Sequence, residues 1–199
     1  MTWITILGVD PGLGTSGTAL AIVDSLTGKI EDILELGVFE TRKSQHRTVR
    51  KTSDDLRRAK EAAGNLRRIL GESRVDIVAA EMATTTPYTY PTFSFGVMTG
   101  ILASLDYPII EVLPYEVKAA ATGNDRATKR DIIAWALSLP SSQPLSWPTS
   151  RRSNQLKLTY NGENVTRAAE HPADALAVIQ AAVRTEQFRL ALSLMVHAK

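Results

Sequence analysis

The stretch Trp3-Ile-Thr-Ile-Leu-Gly-Val-Asp-Pro-Gly-Leu-Gly14 predicts a buried strand that ends in an acid and opens into a glycine-rich turn. Gly8 and Gly12 flank Asp10 and leave room for another group to approach its carboxylate closely. The turn is not a Walker A loop, because no Gly-Lys-Ser/Thr follows, and a strand rather than a helix comes next, which excludes a dinucleotide-binding fingerprint. Asp10 is therefore either a functional carboxylate or an ordinary turn acid.

The same patterning predicts the rest of the fold outward from this strand. Ser16–Asp24 and residues 30–40 favour strands, and the turn Thr27-Gly28-Lys29 between them indicates an antiparallel three-stranded meander. Further strands are predicted at 75–81 and 108–113, and helices at about 47–72, 92–106, 114–121, 127–139 and beyond 172. This order predicts an α/β fold: a mixed five-stranded sheet, three antiparallel strands and then parallel strands, flanked by helices.

Length and composition indicate one globular domain over residues 1–199. Residues 140–169 contain three prolines and predict an irregular insertion, with a small hairpin around Asn161-Gly162. The chain has no cysteine, which excludes disulfides, cysteine-ligated zinc and thiol nucleophiles. No apolar run is long enough to span a membrane and the chain begins directly with a strand, so we expect a cytoplasmic protein without membrane association.

Charge is distributed unevenly along the chain. The formal net charge is only +2, yet residues 41–74 contain eleven Lys or Arg and four Asp or Glu, a local charge of +7. Such a segment indicates either a polyanionic partner such as nucleic acid or simply the solvated faces of a helix. Leu56, Ala59, Ala63, Leu66 and Leu70 recur every three or four residues there and predict the apolar face of that helix.

Two further segments carry polar residues that could take part in chemistry. Glu81 ends the predicted strand 75–81, and a carboxylate in that position is costly to bury unless it is paired or bound to metal. His171 and Asp174 lie three residues apart at the start of an apolar helix and therefore project from one face. The alternative for Glu81 is an exposed strand end, and for His171 and Asp174 it is helix capping and a favourable first-turn charge.

If they converge, these residues suit a divalent cation. Three acids lie at the ends of predicted strands or helices that can meet at one sheet edge: Asp10, Glu81 and Asp174. His171 can join them, because it shares a helix face with Asp174. Oxygen-rich ligand sets favour Mg²⁺ or Mn²⁺ over Zn²⁺. Two such ions can activate a water and stabilise the leaving oxygen in phosphodiester hydrolysis. The spacing therefore predicts a metal-dependent phosphodiesterase.

Five segments, in order, resemble the RuvC-type Holliday junction resolvases of the RNase H-like nuclease superfamily. Ile6-Leu-Gly-Val-Asp-Pro-Gly12 is similar to the family's first catalytic strand, and Ala79-Ala-Glu81 to its second. Gly96-x-x-x-Gly100 matches paired glycines of the next helix, and Val117-Lys-x-x-x-x-Gly-x-x-x-Ala-x-Lys129 resembles a segment whose lysines lie near DNA. His171-x-x-Asp174-Ala-Leu-Ala resembles the closing catalytic helix, where members carry either Asp or His at the first position.

The resemblance implies an RNase H-like fold and a homodimer that nicks two strands of a four-way DNA junction symmetrically with divalent metal. Asp10, Glu81 and Asp174 would then be metal ligands, while His171 would ligate a metal or help to activate the water. The residues expected to contact DNA are Lys118, Arg126, Lys129, Arg151 and Arg152. Without the motif, Lys118 would be interpreted as an ordinary solvated helix residue.

The chain also departs from the family pattern near Glu81. Members often carry a bulky residue three positions after this glutamate that prises the junction apart, and here Thr84 takes that place. Tyr88 and Tyr90 follow and can supply a stacking wedge, or instead belong to the core or a dimer interface.

Three other functions compete with junction cleavage. The same site can act on flaps, forks or single strands. Asp10-Pro-Gly-Leu-Gly-Thr-Ser16 is also compatible with an actin-like phosphate-binding ATPase or sugar kinase, although no second phosphate loop or related subdomain follows. A junction-binding protein without catalysis is the third alternative, and the retained site side chains argue against it.

Overall fold

The computed structural model describes residues 3–82, 89–152 and 155–197. Its main sheet contains β1 (Trp3–Asp10), β2 (Thr15–Asp24), β3 (Ile30–Glu40), β4 (Ile77–Glu81) and β5 (Ile109–Val112). Its helices are α1 (Lys51–Glu72), α2 (Thr89–Ala103), α3 (Pro114–Thr122), α4 (Lys129–Leu137), α5 (Glu170–Ala182) and α6 (Glu186–His197). Within these described ranges, no helix is long and apolar enough to cross a membrane.

The five strands form one mixed sheet in the order β3-β2-β1-β4-β5. Strands β1, β2 and β3 pair antiparallel, while β4 pairs parallel with β1 and β5 pairs parallel with β4. The turn between β2 and β3 suits its sequence, because Gly28 has a φ of 67° and Asp24 accepts a hydrogen bond from the Leu26 amide at 2.9 Å. The predicted mixed sheet is confirmed, and β1 lies at its centre.

Alternation of side chains along β1 and β4 decides which helices each residue faces. Ile6 and Ile77 are fully buried in the core formed with α3, α4 and α5, whereas Leu7 and Val78, which follow them directly in sequence, belong to the core formed with α1 and α2. Asp10 and Glu81 have the same parity as these two isoleucines. Both carboxylates therefore project toward the α5 side, at the edge of the sheet where β1 and β4 end.

Helix α5 packs directly against the backbone of the two central antiparallel strands. A Cβ atom at Gly8 would overlap the carbonyl oxygen of Ala175, and one at Gly17 would overlap the carbonyl oxygen of His171. Only glycine permits this approach of helix to strand. The contact brings the first turn of α5 next to the end of β1.

Helix α1 covers the opposite face of the sheet, but with a different side from the one predicted. Leu66 and Leu70 are buried as expected, whereas Leu56 is 59% exposed. Arg58 is buried instead, with 3% of its surface exposed. The predicted apolar face was therefore wrong at its N-terminal end, because the helix is rotated to bring a charged residue toward the sheet.

Helix α2 begins earlier than the prolines suggested. The sequence predicted this helix at about residues 92–106, yet it starts at Thr89. Pro91 falls within its first turn, where a backbone amide has no helical acceptor and a missing N–H costs little. The prediction was wrong for residues 89–91, and residues 83–88 lie outside the described part of the chain.

Residues 140–169 contain more regular structure than the predicted irregular insertion. Strands β6 (Thr149–Ser150), β7 (Thr159–Tyr160) and β8 (Glu163–Val165) form a second sheet in the order β6-β8-β7, and a short 3-10 helix follows at Arg167–Ala169. The predicted hairpin at Asn161-Gly162 is confirmed. Both residues have positive φ, 47° and 80°, as a tight hairpin turn of this sequence requires.

The start of this segment lies along the outer edge of β3. The Ile33 amide donates to the Pro140 carbonyl at 3.2 Å, and the Gln143 side chain donates to the Leu34 carbonyl at 2.7 Å. These contacts satisfy polar groups of an edge strand that would otherwise be open to pairing with another chain.

Candidate active site

Asp10 and Glu81 lie side by side because they end adjacent parallel strands. Val9 pairs with Ala80 in the β1–β4 register, so the two acids follow at the same level of the sheet. Both side chains are half-buried and face the α5 side. The convergence predicted for these two carboxylates is therefore present in the structure.

Helix α5 supplies the other two predicted residues. The His171 Nδ1 atom lies 3.0 Å from Asp10 Oδ2, and both side chains are 25% exposed. Asp174 lies on the same helix face, since it is three residues further along. All four predicted residues thus lie within one region at the sheet edge.

Burial and like charge raise the pKa values of two acids of this region, Glu81 and Asp174. The pKa of Glu81 is raised to about 7, first by burial and then by the negative charges of Asp10 and Asp174, with a smaller opposing effect from Lys118. The pKa of Asp174 is also raised to about 7, again mainly by burial and by Asp10. At neutral pH the region therefore holds its full negative charge only at a cost in free energy.

The pKa of His171 is raised, whereas burial alone would lower the pKa of a histidine. Its pKa is raised from the ordinary value chiefly by the hydrogen bond to Asp10, against the opposing effect of burial. A protonated His171 therefore compensates part of the charge of Asp10.

A cavity of about 250 Å³ opens between the sheet edge and helices α3, α4 and α5. Glu81 and Asp174 line it together with Lys118 and Lys129, and its apolar wall is formed by residues such as Val117. Two carboxylates and two ammonium groups thus share one small concave space. Such an arrangement suits a ligand that combines cations with phosphate.

Glu170 is a member of this region to which the sequence analysis assigned no function. Its Oε2 atom lies 2.7 Å from the Nζ atom of Lys129, and its Oε1 atom lies 3.9 Å from the Nε2 atom of His171. This ion pair raises the pKa of Lys129. The signal was present in the sequence, because residues 170 and 174 are one helical turn apart and share a face with His171.

The side chains present suit a hard divalent cation by chemistry. Carboxylate oxygens dominate the donor set, and burial together with the neighbouring negative charges raises the pKa values of Glu81 and Asp174, an effect that a bound cation would oppose. Within residues 3–82, 89–152 and 155–197, however, no three acid or histidine side chains are arranged to hold one ion as they stand. Asp10 is instead in contact with His171.

The remaining predicted DNA contacts lie on the surface. Arg126 is exposed just before α4. Arg151 and Arg152 are exposed after β6, and Arg151 pairs with Glu163 of β8 at 3.6 Å. Their role in binding DNA stays a prediction.

The proposed aromatic wedge falls largely outside the described part of the chain. Tyr88 lies outside the described residues, and Tyr90 lies in the first turn of α2, where only the backbone is described. Whether these two tyrosines form a stacking wedge, part of the core or part of a dimer interface therefore stays a prediction.

Several known proteins that are similar in sequence carry the same name. The crossover junction endodeoxyribonuclease RuvC of Parafrankia sp. (strain EAN1pec) is 32% identical over 144 residues, which cover 69% of this chain and 75% of that protein. The RuvC of Pseudothermotoga lettingae is 27% identical over 131 residues, covering 64% and 74%. No protein-family profile matches the chain.

Solved structures show the same fold. The structure of T. thermophilus RuvC in complex with a Holliday junction substrate superimposes with a TM-score of 0.62 at 17% identity and covers 96% of each chain. The yeast mitochondrial Holliday junction resolvase Ydc2 superimposes with a TM-score of 0.57 at 14% identity, covering 97% of this chain and 82% of that one. The RNase H-like fold implied by the sequence is therefore confirmed. By its sequence similarity to curated relatives and by its fold, this chain belongs to the RuvC family of crossover junction endodeoxyribonucleases.

Proposed function

We propose that this chain is a metal-dependent endonuclease that resolves four-way DNA junctions by symmetric phosphodiester hydrolysis. One observation carries the proposal: three acids and a histidine meet at the end of the central strands, beside a cavity that also contains two lysines. The relatives are named for crossover junction cleavage, and one structural neighbour was solved with a junction substrate. We further propose that the whole chain serves as one nuclease domain.

Asp10, Glu81, Asp174 and His171 are the residues that would hold Mg²⁺ or Mn²⁺, with two ions in one site. When bound, two such ions supply an activated water and stabilise the leaving oxygen of a phosphodiester. The raised pKa values of Glu81 and Asp174 support this assignment, because a cation would compensate charge that the protein itself leaves uncompensated. Binding at all three acids requires Asp10 to release or share its contact with His171.

The lysines of the cavity are suited to the DNA substrate. Lys118 is exposed and lines the cavity beside Glu81, so its ammonium group can neutralise a phosphate that enters there. Lys129 is paired with Glu170 and must exchange this partner for a phosphate. Together they would orient the scissile strand against the acids and offset their repulsion of DNA. Arg126, Arg151 and Arg152 would add contacts along the DNA backbone.

We propose that two copies associate through the exposed apolar surface between α1 and α2. Leu56 and Phe93 are 59% and 47% exposed there, and they line a cavity of about 600 Å³ together with Ala59 and Val97. A four-way junction has two equivalent strands to cut, so symmetric resolution requires two active sites. Patches of this kind on a soluble protein mark interaction surfaces.

A cleavage assay on four DNA substrates tests the function. Four-way junctions, forks, flaps and single strands of matched sequence are incubated with the protein and Mg²⁺ or Mn²⁺. We expect paired nicks in the junction only, and dependence on the added cation. Asp10→Asn should abolish cleavage while junction binding persists, because binding depends mainly on phosphate contacts elsewhere.

Each outcome has a distinct meaning. Cutting of flaps or forks in preference to junctions would support the proposed active site but show that its substrate is not the four-way junction. Wild-type cleavage by Asp10→Asn would reject the site itself. Junction binding without cleavage under both cations would support a non-catalytic junction-binding protein.

A further inference from the structure

The backbone turn that follows Asp10 is held by a group of hydrogen bonds on the face of the sheet away from α5. The Ser16 hydroxyl donates to the Gly12 carbonyl at 2.7 Å, and the Gly12 amide donates to the Ser16 oxygen at 3.1 Å. The Thr41 amide donates to the Gly14 carbonyl at 2.9 Å. Leu13, between these glycines, is fully buried. Residues 11–14 are therefore fixed to the ends of β2 and β3.

Arg58 of α1 reaches this turn from the opposite side of the sheet to the acids. Its Nη2 atom donates to the Leu13 carbonyl at 3.1 Å, and its Nε atom donates to the Thr41 hydroxyl oxygen at 3.0 Å. The Thr41 hydroxyl itself donates to the same Leu13 carbonyl. One guanidinium therefore joins a helix, the end of β3 and the turn after Asp10.

Arg58 is unusual because it is a charged side chain with only 3% of its surface exposed. Its Nη1 atom also lies 3.6 Å from Asp55 Oδ1 on the same helix. Buried ion pairs are often no more stabilising than well-packed apolar residues of similar size. Stability alone therefore gives weak reason for an arginine here, whereas the fixed planar fork of donors suits the carbonyl of Leu13 and the oxygens of Thr41.

We propose that Arg58 is a positioning residue for the phosphodiester cleavage: by holding the Leu13 carbonyl, it fixes the turn after β1 and so the direction in which Asp10 presents its carboxylate. This inference rests on the proposed function for the reaction it serves. Asp10 is then fixed from two sides, since His171 contacts its side chain and Arg58 holds the backbone that follows it. Groups that support a catalytic ligand in this way control its geometry without touching the substrate.

Two substitutions of Arg58 and one matched control test the proposal. Arg58→Met removes the charge and all donors at similar length, and Arg58→Lys keeps the charge but loses the planar fork. Arg68→Gln is the control, because Arg68 lies on the same helix, is 55% exposed and pairs with Glu72. Single-turnover cleavage, junction affinity and thermal stability are measured for all four proteins.

For Arg58→Met we expect the single-turnover rate constant for cleavage, and with it kcat, to fall by roughly 10- to 100-fold with junction affinity unchanged, as for other residues that orient catalytic ligands. Arg58→Lys should recover part of this loss, and Arg68→Gln should match the wild type. A residue that only stabilised the fold would lower the thermal stability without changing kcat below the melting range. Wild-type kcat in Arg58→Met would overturn the proposal.

Amide hydrogen exchange provides a second readout that needs neither metal nor DNA. In both Arg58 variants we expect faster exchange at the Gly12 and Thr41 amides, which bond within the turn, while amides in β4 and α5 keep wild-type rates. Wild-type protection at these two amides would overturn the proposal even if cleavage fell. If the wild type cuts no branched DNA, the proposed function fails, and the catalytic part of this inference fails with it. The rates of amide hydrogen exchange still decide, in that case, whether Arg58 holds the turn.

Discussion

Lys118 and Lys129 line the same cavity but differ in their partners. Lys129 is paired with Glu170, whereas Lys118 lies on the exposed side of α3, and its positive charge partly opposes the rise in the pKa of Glu81 that burial causes. Lys118 is thus the lysine more directly available to a phosphate near the acids. This difference could not be inferred from the family motif, which treats the two lysines alike.

Lys118→Ala should slow junction cleavage about tenfold, equivalent to about 1.4 kcal/mol of the activation barrier, without changing the fold. The reason is the loss of a positive charge beside the scissile phosphate. Single-turnover rates and circular dichroism measure the two parts of this prediction. Lys29→Ala is a suitable control, since Lys29 is an exposed lysine in the turn between β2 and β3 and pairs with Glu31. Undiminished rates for Lys118→Ala would make this lysine an ordinary solvated residue.

The raised pKa values of Glu81 and Asp174 predict a dependence of cation binding on pH. In the unfolded chain both groups ionise near pH 4, whereas in the folded metal-free protein they do so near pH 7. Their contribution to stability is therefore lost as pH rises from about 4 to about 7, because the folded state then carries buried charge. A divalent cation offsets this loss only when the acids are ionised.

Thermal unfolding with and without Mn²⁺ measures this effect. We expect the cation to raise Tm more at pH 8 than at pH 5.5, with about 2 to 4 °C for each kcal/mol of binding energy in a protein of this size. Glu81→Gln should raise the Tm of the metal-free protein at pH 8 and reduce the response to Mn²⁺. Glu72→Gln, an exposed glutamate of α1, should change neither. Equal Mn²⁺ shifts at both pH values would contradict the prediction.

At the scale of secondary-structure elements, the contact between α5 and the sheet decides whether the site forms. His171 and Asp174 are carried by the helix, while Asp10 and Glu81 are carried by the strands. The helix reaches them only because Gly8 and Gly17 have no side chain. The glycine before Asp10 therefore serves helix packing as well as access to the carboxylate.

Gly17→Ala should destabilise the protein by about 1 to 3 kcal/mol, the usual cost of overpacking a core. It should also reduce cleavage more than the fraction unfolded explains, because the added methyl group pushes the first turn of α5 away from Asp10. Chemical denaturation and cleavage below the transition measure both effects. Gly64→Ala in α1, where a Cβ meets no atom within 4 Å, should be stabilising by about 0.5 to 1 kcal/mol. Normal cleavage by Gly17→Ala would show that α5 can move away from β2 without loss of activity, and would contradict the prediction.

At the scale of the whole molecule, the two faces of the sheet carry different side chains and different exposed surfaces. The α5 face contains the acids and the cavity, and the α1–α2 face exposes Leu56 and Phe93. The positive charge of residues 41–74 belongs largely to the second face, and several of its arginines pair with neighbouring acids, as Arg57 does with Asp54 at 2.6 Å. The charge excess of this segment is thus not by itself an argument for DNA contact there.

Leu56→Asp should convert the proposed dimer to monomer, because it places a charge in the centre of an apolar interface. Light scattering or sedimentation at micromolar concentration measures the mass. Paired nicking of the junction should decrease more than cutting of one strand. Leu26→Asp is the control, since Leu26 is 80% exposed in the turn between β2 and β3. A wild-type protein that is monomeric with and without junction DNA would reject the symmetric mechanism.

Local patterns were sufficient for most strands and for the site acids. The period of two along β1 and β4 places Asp10 and Glu81 on the same face, and the parallel register then brings them level. Asn161-Gly162 specified its hairpin because both residues tolerate positive φ. These features depend on neighbours close in sequence, or on alternation that every strand obeys.

The contacts that complete the site were decided by tertiary structure. The sequence places Leu56 on the apolar side of α1 and gives no sign that Arg58 is buried, because the rotation of a helix against a sheet depends on what the sheet presents. The pair of Lys129 with Glu170 joins residues 41 positions apart in sequence. By itself the sequence determined which side chains reach the edge of the sheet. The packing of helices from distant parts of the chain decided which charges meet there, since partners of a buried charge are set by space and not by sequence order.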